Sequence, residues 1–148
     1  MTGQGNCSVA TTTNSLTVVP ARNLIWSGAG TVWDVNNSPS WNDGANPATF
    51  NYGDSVTFDD TGAGNPLVTL SGKYLSASNW LITGSTAYAF GGSGSFAGPG
   101  SLIFNSAAAG SIQLNVANTH TGGTIISNSN PSLDVYVQQY QVLGSGPL

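Results

Sequence analysis

Charge is nearly absent from this sequence. Lys and Arg together number two, there is no Glu, and all six acidic residues are Asp, so charged side chains make up 5% of the 148 residues, against roughly a quarter in ordinary globular domains. Nucleic-acid binding draws affinity from several Lys or Arg that displace counterions from phosphate. Arg22 and Lys73, in a chain of net charge -4, cannot supply it, so no nucleic-acid partner is expected. Lyase chemistry on a uronate would need the same missing cations. His120 is the only histidine and thus the only imidazole base for a nucleophilic triad. A glycosidase pair, two carboxylates about 5–10 Å apart across a cleft, would have to come from Asp in turn-rich sequence. No Gly-x-x-x-x-Gly-Lys phosphate loop occurs, and Gly91-Gly-Ser-Gly94 is one glycine corner among many. The expectation is a protein without catalytic activity and without a cofactor.

Cysteine is almost as scarce. Cys7 stands alone, which excludes an intrachain disulfide and leaves an incidental thiol or a cross-link to another subunit. Lipidation of Cys7 would want an apolar leader, and Gly5-Asn6 after four other residues does not provide one. No apolar run approaches the roughly 20 residues of a membrane span, and the first 19 residues lack the basic and apolar regions of a signal peptide.

What the chain has in abundance is turn and strand material. Gly, Ser, Thr and Asn supply 69 of the 148 residues, yet 39% hydrophobic content still allows a core. Gly, β-branched residues, Ser and Asn are poor helix formers, and no apolar series at helical spacing extends beyond a turn. Period-two alternation is common instead: Val56/Phe58, Val68/Leu70, Leu81/Thr83, Ile112/Leu114/Val116 and Leu133/Val135/Val137. The separators are turn chemistry, as in Asp59-Asp-Thr-Gly-Ala-Gly-Asn-Pro66, Ser71-Gly72 and Gly91-Gly92. Short strands at this spacing suit a solenoid, a sandwich or a barrel. The residues expected to point inward are Val56, Phe58, Val68, Leu70, Leu81, Ile112, Leu114 and Ile125. A break at Pro20 sets off residues 1–19 as an extension from a single all-β domain over 20–148.

Residues 91–127 carry a recurrent pattern. Gly98, Gly100 and Leu102 open it, Gly110, Ile112 and Leu114 continue it, and Asn118, Thr119, Gly122, Gly123 and Thr124 close it. This resembles the autotransporter-associated β-strand repeat of bacterial secreted and surface proteins, with His120 standing where that family has an aromatic. The upstream segment, with Trp26-Ser-Gly-Ala-Gly, Trp33-Asp, Trp41-Asn-Asp-Gly and Gly53-Asp-Ser-Val-Thr-Phe58, is similar to the stretch that precedes such repeats, so the resemblance covers about residues 24–127. It implies a right-handed parallel β-helix, exported to the cell surface and lacking catalytic residues. That favours the solenoid; a jelly-roll-like β-sandwich is the alternative.

Three groups of residues remain as candidate sites. Asp54, Asp59 and Asp60 are weak candidates for Ca²⁺, which takes roughly six to eight oxygen ligands; Asp caps on local backbone N–H groups are the competing reading. Trp26, Trp33 and Trp41 would form a glycan platform if exposed in a row, or the cap of a solenoid end if buried. Leu16, Val18 and Val19 near one terminus, and Leu133, Val135 and Val137 near the other, are strands able to complete a neighbour's sheet. Unguarded strand edges pair with other chains. The expected function is therefore an extracellular or cell-surface structural protein, partnered by copies of itself in a filament or surface assembly. The alternative is an adhesin or carbohydrate-binding module of a larger exported protein.

Overall fold

A computed structural model describes residues 20–107, 110–127, 130–138 and 143–148. Cys7, Leu16, Val18 and Val19 lie outside these described residues. The strands are β1 (Asn23–Trp26), β2 (Val32–Trp33), β3 (Trp41–Asn42), β4 (Pro47–Ala48), β5 (Ser55–Phe58), β6 (Leu67–Leu70), β7 (Leu75–Ser76), β8 (Asn79–Gly84), β9 (Ala89–Gly92), β10 (Phe96–Ala97), β11 (Ser101–Ser106), β12 (Gly110–Leu114), β13 (Thr124–Ile126) and β14 (Leu133–Val137). A 3₁₀ turn at Asp60–Gly64 is the one helical element among the described residues.

The chain winds as a parallel β-solenoid of about four turns. One sheet runs in the order β13-β11-β8-β5-β1-β3-β4, a second in the order β14-β12-β9-β6-β2, and β7 pairs with β10 on a third side. Successive coils stack in register. Val56 lies beside Trp80, Trp80 beside Leu102 and Leu102 beside Thr124, which makes a coil 22 to 24 residues long. A sandwich would instead pair its strands mainly antiparallel.

Parallel stacking passes the facing of each position from coil to coil, because strand side chains alternate with period two. With Val56 and Phe58 buried, Trp80, Ile82, Leu102, Phe104 and Thr124 are buried above them. The intervening row, Thr57, Leu81, Ile103 and Ile125, therefore faces outward. This corrects the expectation for Leu81, which is half-buried, and Ile125, which is 48% exposed. The other six expected core residues are buried. Stacked corners also fix residue size. A Cβ on Gly122 would lie 2.3 Å from the carbonyl oxygen of Pro99, so nothing larger fits that step without displacing backbone.

The antiparallel hairpin β3–β4 interrupts the winding between β1 and β5, and Trp41 pairs with Trp26 across strands. It closes the start of the solenoid. Trp26, Trp33, Trp41 and Phe50 are all buried to 0% exposure, and Trp41 meets Trp26 and Trp33 edge-on at 5.1 and 5.0 Å between ring centroids. From there an aromatic column continues inside the coils through Phe58, Phe90, Phe96 and Trp80 to His120. Such edge-to-face pairs add roughly 0.5–1.5 kcal/mol each beyond the area they bury.

Candidate functional site

Arg22, Asp54, Asp59 and Asp60 are tied into local structure. Asp54, 2% exposed, accepts from the guanidinium of Arg22 at 2.8 Å and from the backbone N–H groups of Arg22 and Asn51, both at 2.9 Å. Arg22 also donates to the Thr49 carbonyl at 2.7 Å, so the pair fastens the entry of β1 to the turn before β5. Asp59 caps the 3₁₀ turn by accepting from Thr61 N–H at 2.9 Å. Asp60 accepts from the Thr86 hydroxyl at 2.7 Å and the Ser85 N–H at 2.8 Å, bonds that hold its carboxyl below the ordinary range. The three Asp residues are thus not gathered around a common point, and no cluster of three or more potential ligands exists among the described residues. Carboxylate oxygens of these three residues cap turns or face Arg22.

Tyr88 donates to the Asp59 carbonyl at 2.5 Å, and burial pushes its hydroxyl well above the ordinary phenol value. His120 is buried inside the last closed coil, with its ring against Trp80 and Nε2 3.1 Å from the Thr124 hydroxyl. Thr124 donates that hydroxyl to the Leu143 carbonyl at 2.9 Å, so Nε2 carries the proton and Nδ1 is bare. Nδ1 has no hydrogen-bond partner among the described residues, and burial holds the imidazole below its ordinary value. His120 serves as a ring of the core.

Trp26, Trp33 and Trp41 are not an exposed platform either. Their rings face inward, with the Trp26 indole donating to the Asn65 carbonyl at 3.0 Å. A surface hollow of about 280 Å³, lined by residues 29–32 and 38–40, contains no titratable side chain.

Unsatisfied surface gathers at the far end. Of the eight large hydrophobic residues that are exposed among the described residues, five belong to the last coil and the tail: Ile125, Ile126, Tyr136, Val137 and Leu148. The edge of β13 is partly covered, because Thr124 N–H donates to the Pro147 carbonyl at 2.9 Å and Ser145 N–H to the His120 carbonyl. Gly144, at φ +74°, lets the tail lie on His120, since a Cβ there would stand 2.5 Å from its carbonyl oxygen. β14 pairs five residues with β12 on one side. Among the described residues nothing pairs with its other side. Gln138 N–H donates to the Leu114 carbonyl, so by the alternation of a parallel ladder the N–H groups of Val135 and Val137 turn to the open edge. Leu133 and Val135 pack half-buried against the core and Val137 is 46% exposed.

Sequence reasoning singled out Leu133, Val135 and Val137 at this end, placed Ile125 in the core, and passed over Ile126, Tyr136 and Leu148. A signal for the tail was present: Gly144-Ser-Gly-Pro-Leu148 repeats the Gly98-Pro-Gly-Ser-Leu102 spacing that opens β11. No protein-family model, no curated protein and no solved structure matches the chain.

Proposed function

We propose that the chain is a non-catalytic structural protein of the cell exterior, which associates with copies of itself through β-strand pairing in a filament or surface assembly. The observation that carries this reading is the unequal closure of the two ends. The first sheet begins with β4, two residues long and containing Pro47, a blunt edge of the kind that discourages pairing. The second sheet ends in the five-residue edge of β14, whose one charge is Asp134. Low charge, glycine-rich corners and the resemblance to secreted repeat proteins support the exterior setting. Burial of His120 and engagement of Asp54 with Arg22 support the absence of catalysis.

Val137→Pro tests the reading. It removes an N–H aimed at the open edge while leaving the β12 ladder intact, and proline is tolerated on edge strands. Wild-type protein should form higher-order species, in negative-stain images and by light scattering, that increase with concentration. The variant should melt like wild type and stay monomeric. Wild-type protein that remains a monomer at its highest soluble concentration refutes the function; Val137→Pro protein that assembles normally refutes the site.

A further inference from the structure

We propose that the strand received by the β14 edge is Ser15–Val19 of a second copy, added parallel to β14 in a contact that repeats head to tail. The inference rests on the reading of β14 as an assembly edge and names its occupant.

The start of the solenoid cannot supply the complementary surface by simple stacking. Its two terminal strands, β4 and β2, are two residues each, against five for β14. A free strand is needed instead, and the segment before Pro20 has the right pattern. Ser15-Leu-Thr-Val-Val19 is uncharged, five residues long and alternating. With Leu16 over Leu133 and Val18 over Val135, the apolar pair extends the inner rows of the second sheet, where Val135 already continues Ile112. In that register the carbonyls of Thr17 and Val19 accept from Val135 and Val137 N–H. Pro20 then lies beside Val137 with its nitrogen turned away from β14, so its missing N–H takes no bond from the ladder.

Position makes the contact directional. The segment leads into β1 in the first coil, while β14 is in the last. From β1 to β13 the first sheet crosses four strand spacings, about 19 Å. Pro20, where the segment joins the described chain, and the acceptor edge are thus toward opposite ends of the solenoid. A contact between unlike surfaces that does not close on itself generates a fibre, and neither surface carries a charge run that would oppose it.

The experiment uses full-length protein with its own segment disabled, Leu16→Asp/Val18→Asp, and a fluorescent peptide of residues Ser8 to Val19. The double variant should melt like wild type, fail to elongate and bind the peptide saturably. Adding Val137→Pro should abolish the binding, and a peptide with the same two Asp substitutions should not bind. Absence of peptide binding, or binding that survives Val137→Pro, overturns the proposal. If the double variant assembles as wild type does and Val137→Pro still blocks it, β14 is the assembly edge but its occupant is another strand, and this inference alone is sunk. If wild-type protein never associates, the functional reading falls first and this inference with it.

Discussion

Acidification provides a sharp test of the core, because one side chain governs it. The chain has no Glu and a single His, so His120 is the side chain whose ordinary pKa falls between about pH 5 and 7.5. Burial lowers that pKa in the folded state, outweighing a Gly123 backbone contact that raises it, and protonation would place a second N–H at Nδ1, which has no hydrogen-bond partner among the described residues. The sign follows from linkage. Above the ordinary value of 6.5 neither state binds the proton and stability is complete. Below it the unfolded chain takes up a proton that the folded chain refuses, so stability falls as pH falls, until the folded pKa is reached. One proton limits the slope to about 1.4 kcal/mol per pH unit, hence to about 2 kcal/mol between pH 6.5 and 5. Against total stabilities of roughly 5–15 kcal/mol the change is readily measured. Urea unfolding at several pH values from about 7.5 to 5 should show this decline in the wild type and a flat profile in His120→Phe. The Phe ring keeps the packing on Trp80, and Thr124 keeps its acceptor at Leu143. A flat wild-type profile, or a variant that declines in parallel with it, refutes the assignment of His120 as a buried neutral ring.

Leu114→Ala should cost about 2–5 kcal/mol, as for a fully buried leucine, whereas Leu81→Ala, on the outward row, should cost under about 1 kcal/mol; equal losses in denaturant melts would contradict the register. Arg22→Ala strands the buried Asp54 carboxylate and should cost about 3 kcal/mol, the low end for a broken buried pair because Arg22 is 30% exposed. Millimolar Ca²⁺ should leave the wild-type melting temperature unchanged, and a clear rise would revive Asp54, Asp59 and Asp60 as ligands.

The strands that were legible in the sequence are those where alternation is unambiguous. Val56/Phe58, Val68/Leu70 and Ile112/Leu114 have polar or small neighbours, so one face alone can be apolar. Trp80-Leu-Ile82 and Thr124-Ile-Ile126 offer an apolar residue at both parities, and there the facing is decided by the coil beneath rather than by the local pattern. The hairpin cap was illegible for a related reason: two-residue strands leave no period to read. Tryptophan spacing of seven and eight residues defines no single face. Three chain segments nevertheless bring Trp26, Trp33 and Trp41 to one point. The open edge was legible only in half, because the covering of β13 by residues 143–148 depends on long-range contacts with His120 and Thr124.

The scarcity of charge and the position of the edge have a common physical origin. In a parallel in-register stack each side chain sits directly beside its counterpart one coil away, about 4.8 Å distant. A repeated charge would set like charges at that spacing, at nearly 1 kcal/mol per pair even in water. Among the described strands only Asp134 is charged, and its ladder neighbour is the neutral Ser111. The other charged residues lie outside the strands, and the two that stack on each other, Arg22 and Asp54, carry opposite signs and form an ion pair at 2.8 Å. A repeat that excludes charge from its strands also gives up charge as the usual protection of a terminal edge. Protection has to be built as structure, and at the start of the solenoid it is, in β3–β4 and Pro47. At β14 no equivalent hairpin follows among the described residues, so the rule that stabilises the coils leaves that edge as the place of the proposed association.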